Sequence, residues 1–183
     1  TRRHSATKAA TFGSLASNLG PDADTVADIF VRDRQAGTTS LVSVSTGGAS
    51  TTAASLHPTM SANGRYIAFD SYDTNLVAGD TNAAIDVFVR DRQTTTTTRV
   101  SLYDNDTQAP KGGSMPSMDD SGTKIAFTAS DKLNAIDPNS TSDVFVRDTV
   151  AGATTVGSVA ANGWAAGESS DAAISGDGST VAF

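Results

Sequence analysis

All seven phenylalanines of this chain fall into two registers, and that periodicity constrains the fold more than any other feature. Phe12, Phe69, Phe127 and Phe183 are separated by 57, 58 and 56 residues; Phe30, Phe88 and Phe145 are separated by 58 and 57. The second set lies in DIFVRDR from Asp28, DVFVRDR from Asp86 and DVFVRD from Asp143. Within the first set, Phe69, Phe127 and Phe183 close NGRYIAF from Asn63, SGTKIAF from Ser121 and DGSTVAF from Asp177. Self-similarity at one fixed period marks a chain of repeated supersecondary units that bury their hydrophobic faces on one another. The 183 residues hold about three such units.

Each unit reads as four antiparallel strands. Strand A runs through Met60, Met118 or Ile174 into Asn63-Gly64, Ser121-Gly122 or Asp177-Gly178, pairs that accept positive φ in a hairpin turn. Strand B follows, with Ile67 and Phe69 on one face and the small Ala68 on the other, repeated at Ile125/Phe127/Ala126 and Val181/Phe183/Ala182. Strand C is the DIFVRD or DVFVRD segment. A turn at Gly37, Thr95 or Gly152 leads to strand D. The acidic residues agree, being 19 Asp and a single Glu, Glu168: Asp favours turns, whereas a helical chain favours Glu. The predicted fold is all-β, a propeller of four-stranded blades; a sandwich leaves the period of about 58 residues unexplained.

The pattern S/D-x-N/D/S-G-x-x-I/V-A-F, a loop, then D-I/V-F-V-R-D resembles the TolB-like (WD40-like) propeller repeats common in secreted bacterial proteins. The resemblance covers residues 8–183, leaves 1–7 unmatched, and implies a binding or scaffold module outside the cytoplasm. Its parts are strands B-C-D over 8–48, full blades over 53–102 and 111–159, and an A-B hairpin over 168–183. The first repeat is expected to lack strand A, since Thr7 stands at the turn glycine and Arg3 at the place of Met60. Split blades of this kind imply either a homodimer closing one six-bladed ring or a segment of a longer propeller.

The loop between strands B and C repeats as faithfully as the strands, as Asp22-x-Asp24-x-x-x-Asp28, Asp80-x-Asn82-x-x-x-Asp86 and Asp137-x-Asn139-x-x-x-Asp143. Alternate carboxylate and amide oxygens suit a hard cation, and the spacing resembles the Asp-rich calcium loops of integrin-type propellers in a shorter form. These nine residues are the candidate Ca²⁺ ligands, chiefly for stability, with the first loop binding most tightly through its three carboxylates. Asx turns account for the same residues without metal, and both readings stand at this point.

Other candidates follow from what does not repeat. Arg32, Arg90 and Arg147 are read as partners of nearby Asp between blades. His57, equivalent to Met115 and Asp171, is read as surface, while Trp164, Tyr72 and Tyr103 offer stacking faces for a sugar. Neither histidine lies in a nucleophile motif, G-x-S-x-G is absent, and cysteine is absent. A net charge of −7 disfavours capture of nucleic acid or an anionic membrane, and no apolar run reaches about 18 residues. A non-catalytic module with a protein or glycan partner is therefore expected. The alternative is a carbohydrate-active or peptidase-associated propeller domain.

Overall fold

The computed structural model describes residues 9–20, 25–135, 137, 141–160, 163–164 and 167–183. Fifteen strands run among them: β1 (Ala9–Ser14), β2 (Asp28–Asp33), β3 (Thr38–Leu41), β4 (Ser55–Met60), β5 (Tyr66–Ser71), β6 (Asp86–Asp91), β7 (Thr96–Arg99) and β8 (Ser114–Met118). They continue as β9 (Lys124–Ala129), β10 (Asp143–Asp148), β11 (Ala153–Val156), β12 (Val159–Ala160), β13 (Gly163–Trp164), β14 (Ala173–Ile174) and β15 (Val181–Ala182). No helix occurs among the described residues, and so none is long and apolar enough to cross a membrane.

Two sheets are four-stranded antiparallel blades, ordered β4-β5-β6-β7 and β8-β9-β10-β11. The first sheet has three strands, β1-β2-β3, and β14-β15 forms a separate hairpin. A short hairpin, β12-β13, was not anticipated from the repeat. Positive φ at Gly64, Gly122 and Gly178 closes the three A–B turns.

The two phenylalanine registers have one structural cause. Antiparallel pairing sets Phe12 opposite Phe30, Phe69 opposite Phe88, and Phe127 opposite Phe145. Each blade thus carries one cross-strand aromatic pair, with ring centroids 5.9, 6.0 and 6.3 Å apart. Phe183 is exposed and has no strand C opposite it among the described residues.

The hydrophobic clusters lie between blades. Ile29, Val31 and Val42 of the first sheet pack with Ile67, Phe69 and Phe88 of the second. Ala68, Val87 and Val89 of the second pack with Ile125, Phe127 and Phe145 of the third. Ala126 and Val144 then receive Ala172, Ile174 and Val181 of the last hairpin. Alternation along strands B and C turns Ala68, Val87 and Val89 of the second blade toward the next blade, and Ile67, Phe69 and Phe88 toward the previous one, so both faces are buried. Strands β4 and β8, and β8 and β14, also contact one another, which makes strand A the edge where blades converge.

Candidate functional site

Asp28, Asp86 and Asp143 each begin strand C, and each is buried. Ser43, Ser101 and Ser158, one strand away, donate their hydroxyls to the Oδ1 atoms of these aspartates. The same hydroxyls accept the amides of Ile29, Val87 and Val144 at 3.0, 3.0 and 3.1 Å. One carboxylate oxygen per repeat is therefore committed to joining strand C to the segment after strand D. The second oxygen meets the loop in the middle repeat, and the third repeat differs there.

In the middle repeat, Asn82 donates Nδ2 to Asp86 Oδ2 at 2.9 Å and to the carbonyl of Ala109 at 2.8 Å. Its Oδ1 accepts the amide of Ala84 at 3.1 Å, which is an Asx turn. Gln108 Nε2 donates to Asp80 Oδ1 at 3.0 Å. The positive charge among these groups is Arg99, nine-tenths buried, whose Nη1 lies 3.3 Å from Asp80 and 3.6 Å from Asp86. Burial pushes both carboxyls above their ordinary range. Arg99 and Gln108 oppose the rise at Asp80; Ser101, Asn82 and Arg99 oppose it at Asp86.

Arg99 has no counterpart in the other repeats. It pairs across strands with Phe88, and the residues in that register are Leu41 opposite Phe30 and Val156 opposite Phe145. In the third repeat Asp137 and Asp143 are buried, and Asp143 Oδ2 has no hydrogen-bond partner. Asp22, Asp24 and Asn139 lie outside the described residues. Among the described residues, no three His, Asp or Glu side chains form a metal-binding group.

The strand-C arginines bind across blades. Arg90 Nη1 donates to Thr97 Oγ1 at 3.1 Å and to the carbonyl of Ser45, which follows the previous blade, at 3.2 Å. Arg147 repeats this with Thr154 Oγ1 at 3.0 Å and the Tyr103 carbonyl at 3.4 Å, and adds an ion pair with Asp106. Arg32 meets Thr39 at 3.1 Å and is exposed. The expected Asp partner thus exists for Arg147, whereas Arg90 is held by a carbonyl and a hydroxyl.

One constellation escaped sequence reasoning. His57 Nδ1 lies 2.8 Å from Asp70 Oδ2, and the amide of Met115, on the next blade, donates to the same oxygen at 2.8 Å. Asp70 is fully buried and its Oδ1 has no hydrogen-bond partner, while the His57 side chain is 48% exposed. His57, Met115 and Asp171 share one backbone state, at φ of 48°, 55° and 55°. At the first two, strand A carries a register shift, between Leu56 and Thr59 and between Ser114 and Ser117. A bulge re-aims its side chain, so one repeated backbone device presents an imidazole, a thioether and a carboxylate in turn. The signal available in sequence was Asp70 itself, which stands where the other repeats have Gly13 and Thr128. Tyr72 is exposed and Tyr103 packs against the cluster between the second and third blades; the Trp164 side chain lies outside the described residues.

Blades of this order, joined through inter-blade cores, decide the architecture. The fold is a β-propeller. Solved structures of similar fold include a protein assigned as TolB from Agrobacterium tumefaciens, at 17% identity and a TM-score of 0.51, over 81% of this chain and 44% of that one. TolB from Acinetobacter baumannii matches at 15% identity and 0.56, over 96% and 34%. A structure from a study of two prolyl endopeptidases matches at 14% and 0.56, over 99% and 24%. The propeller thus spans less than half the length of each. No family model matches the sequence, and no curated protein does.

Proposed function

We propose that this propeller is a non-catalytic binding or scaffold module acting outside the cytoplasm, with a protein or glycan as partner. The observation that carries the reading is the division between repeated and unrepeated side chains. Repeated ones are engaged in architecture: Asp with Ser at the head of strand C, and Arg across blades at Arg90 and Arg147. The unrepeated ones, His57, Met115 and Asp171, sit on one backbone state at the edge where blades converge. A common frame carrying different side chains is how a recognition surface gains specificity without altering its fold. The loop carboxylates serve stability in this reading, with Ca²⁺ as the cation they suit.

A second reading, a propeller domain attached to a peptidase, draws on the prolyl endopeptidase match and on the His57–Asp70 pair. One experiment separates the two. The protein and a triple variant, His57→Gly, Met115→Gly and Asp171→Gly, are applied to peptide and glycan arrays and to a panel of esterase, peptidase and glycosidase substrates. The binding module gives array ligands that the triple variant loses, with no turnover. Turnover abolished by His57→Gly alone overturns it.

A further inference from the structure

The second and third repeats differ in the residue that stands where a positive charge meets the B–C loop. In the middle repeat Arg99 supplies it internally, against Asp80 and Asp86. In the third repeat the register position is Val156, an apolar residue with no charge to offer. Yet the acidic residues there are the same: Asp137 and Asp143 keep the six-residue spacing of Asp80 and Asp86. Asp143 is 2% exposed, and Ser158 fixes its Oδ1 as Ser101 fixes that of Asp86. Its Oδ2 is the atom equivalent to the one that meets Asn82 and Arg99 in the middle repeat, and it is buried without a hydrogen-bond partner. A buried carboxylate oxygen with nothing donating to it marks a place for an unseen donor or ion.

We propose that the third repeat binds one divalent cation of the Ca²⁺ class through Asp143 Oδ2 and Asp137, in the place that Arg99 fills in the middle repeat, and that the middle repeat binds none. The proposal rests on reading the loops as cation clamps and is independent of the partner-binding reading. Oxygen donors and their charge select a hard cation, and two carboxylates with backbone and water oxygens fit the weaker extracellular range of affinity, about 10⁻⁴–10⁻³ M. Arg99 and the cation are alternative solutions to one electrostatic problem, a pair of buried carboxylates at the mouth of strand C.

Exchange of the two solutions tests this. Equilibrium dialysis against Ca²⁺, with terbium luminescence as a second readout, counts the sites in the parent protein, in Val156→Arg and in Arg99→Leu; melting in calcium and in chelator is followed in parallel. The expected results are one site fewer in Val156→Arg, with the calcium-dependent rise in Tm reduced, and one site more in Arg99→Leu. Asp137→Asn, which leaves the Ser158–Asp143 bond in place, should weaken the third-repeat site at least tenfold and covers the case in which Val156→Arg does not fold. A parent protein that binds no calcium or terbium at millimolar concentration overturns the proposal together with the cation-clamp reading. Calcium binding whose site count is unchanged in Val156→Arg and whose affinity is unchanged in Asp137→Asn overturns the assignment to the third repeat alone.

Discussion

Ser158 donates its hydroxyl to Asp143 at 2.7 Å and accepts the Val144 amide at 3.1 Å, and the same joint recurs at Ser43–Asp28 and Ser101–Asp86. A hydroxyl is the smallest group that can donate and accept at once, so it closes strand C against the segment following strand D while satisfying one carboxylate oxygen and one backbone amide. Its repetition accounts for the invariance of the Asp that opens every DIFVRD segment.

Replacing Ser101 with Ala removes both halves of that joint. The Asp86 oxygen and the Val87 amide are left buried and unpaired, which costs about 1–3 kcal/mol. Urea unfolding of Ser101→Ala measures it; a change below about 0.5 kcal/mol, the range of surface substitutions, contradicts the joint's structural role.

The inter-blade arginines should differ according to their burial. Arg147 is buried and engages Thr154, the Tyr103 carbonyl and Asp106, so Arg147→Ala should cost about 1–3 kcal/mol. Arg32 meets Thr39 among the described residues and is exposed, so Arg32→Ala should fall within about 0.5 kcal/mol. Equal effects in denaturant titrations would mean that the blade contact is not what these guanidiniums contribute.

Much of this architecture was legible in sequence because it depends on spacing. Phe69 and Phe88 are cross-strand partners, and a repeated pairing register writes itself as two parallel series of aromatics. Ala68 and Val87 mark the face turned to the next blade through simple alternation. Arg99 was not legible, because its meaning comes from standing opposite Phe88, beside a loop distant in sequence. The His57–Asp70 pair was hidden for another reason. It forms across a register shift, where the period of two that sequence reading relies on is broken.

Acid should expose an ion pair at the edge of the middle blade. Arg65 Nε and Nη2 donate to the two oxygens of Asp91 at 2.9 and 2.7 Å, and chiefly through this bond the Asp91 carboxyl is held well below its ordinary value of 3.8. A depressed carboxylate contributes stability that is present above its unfolded pKa and lost as pH falls through its folded pKa. The Asp91→Asn variant should therefore be less stable than the parent at neutral pH, with the difference shrinking steadily below pH 3.8. Melting temperatures of both proteins from pH 7 to pH 2 give the comparison. A constant gap across that range shows that the Asp91 charge is not responsible.

The strand-A bulge offers the sharpest test of what is structure and what is use. Met115 adopts φ of 55°, a left-handed state that costs a side-chain-bearing residue roughly 1–2 kcal/mol. Glycine removes that cost but loses about 0.4–1 kcal/mol through the freedom it gives the unfolded chain. The Met115 amide, which donates to Asp70, is retained by glycine, and the thioether is partly exposed. Met115→Gly should accordingly be neutral or stabilising by up to about 1 kcal/mol. His57 has the same backbone state at φ of 48°, but its ring holds the buried Asp70 carboxylate. Releasing that bond leaves Asp70 with only the Met115 amide, a loss of about 1–3 kcal/mol that exceeds the relief of strain. The two glycine variants should therefore move in opposite directions in the same unfolding experiment. If His57→Gly is as stable as Met115→Gly, the imidazole contributes nothing to holding Asp70.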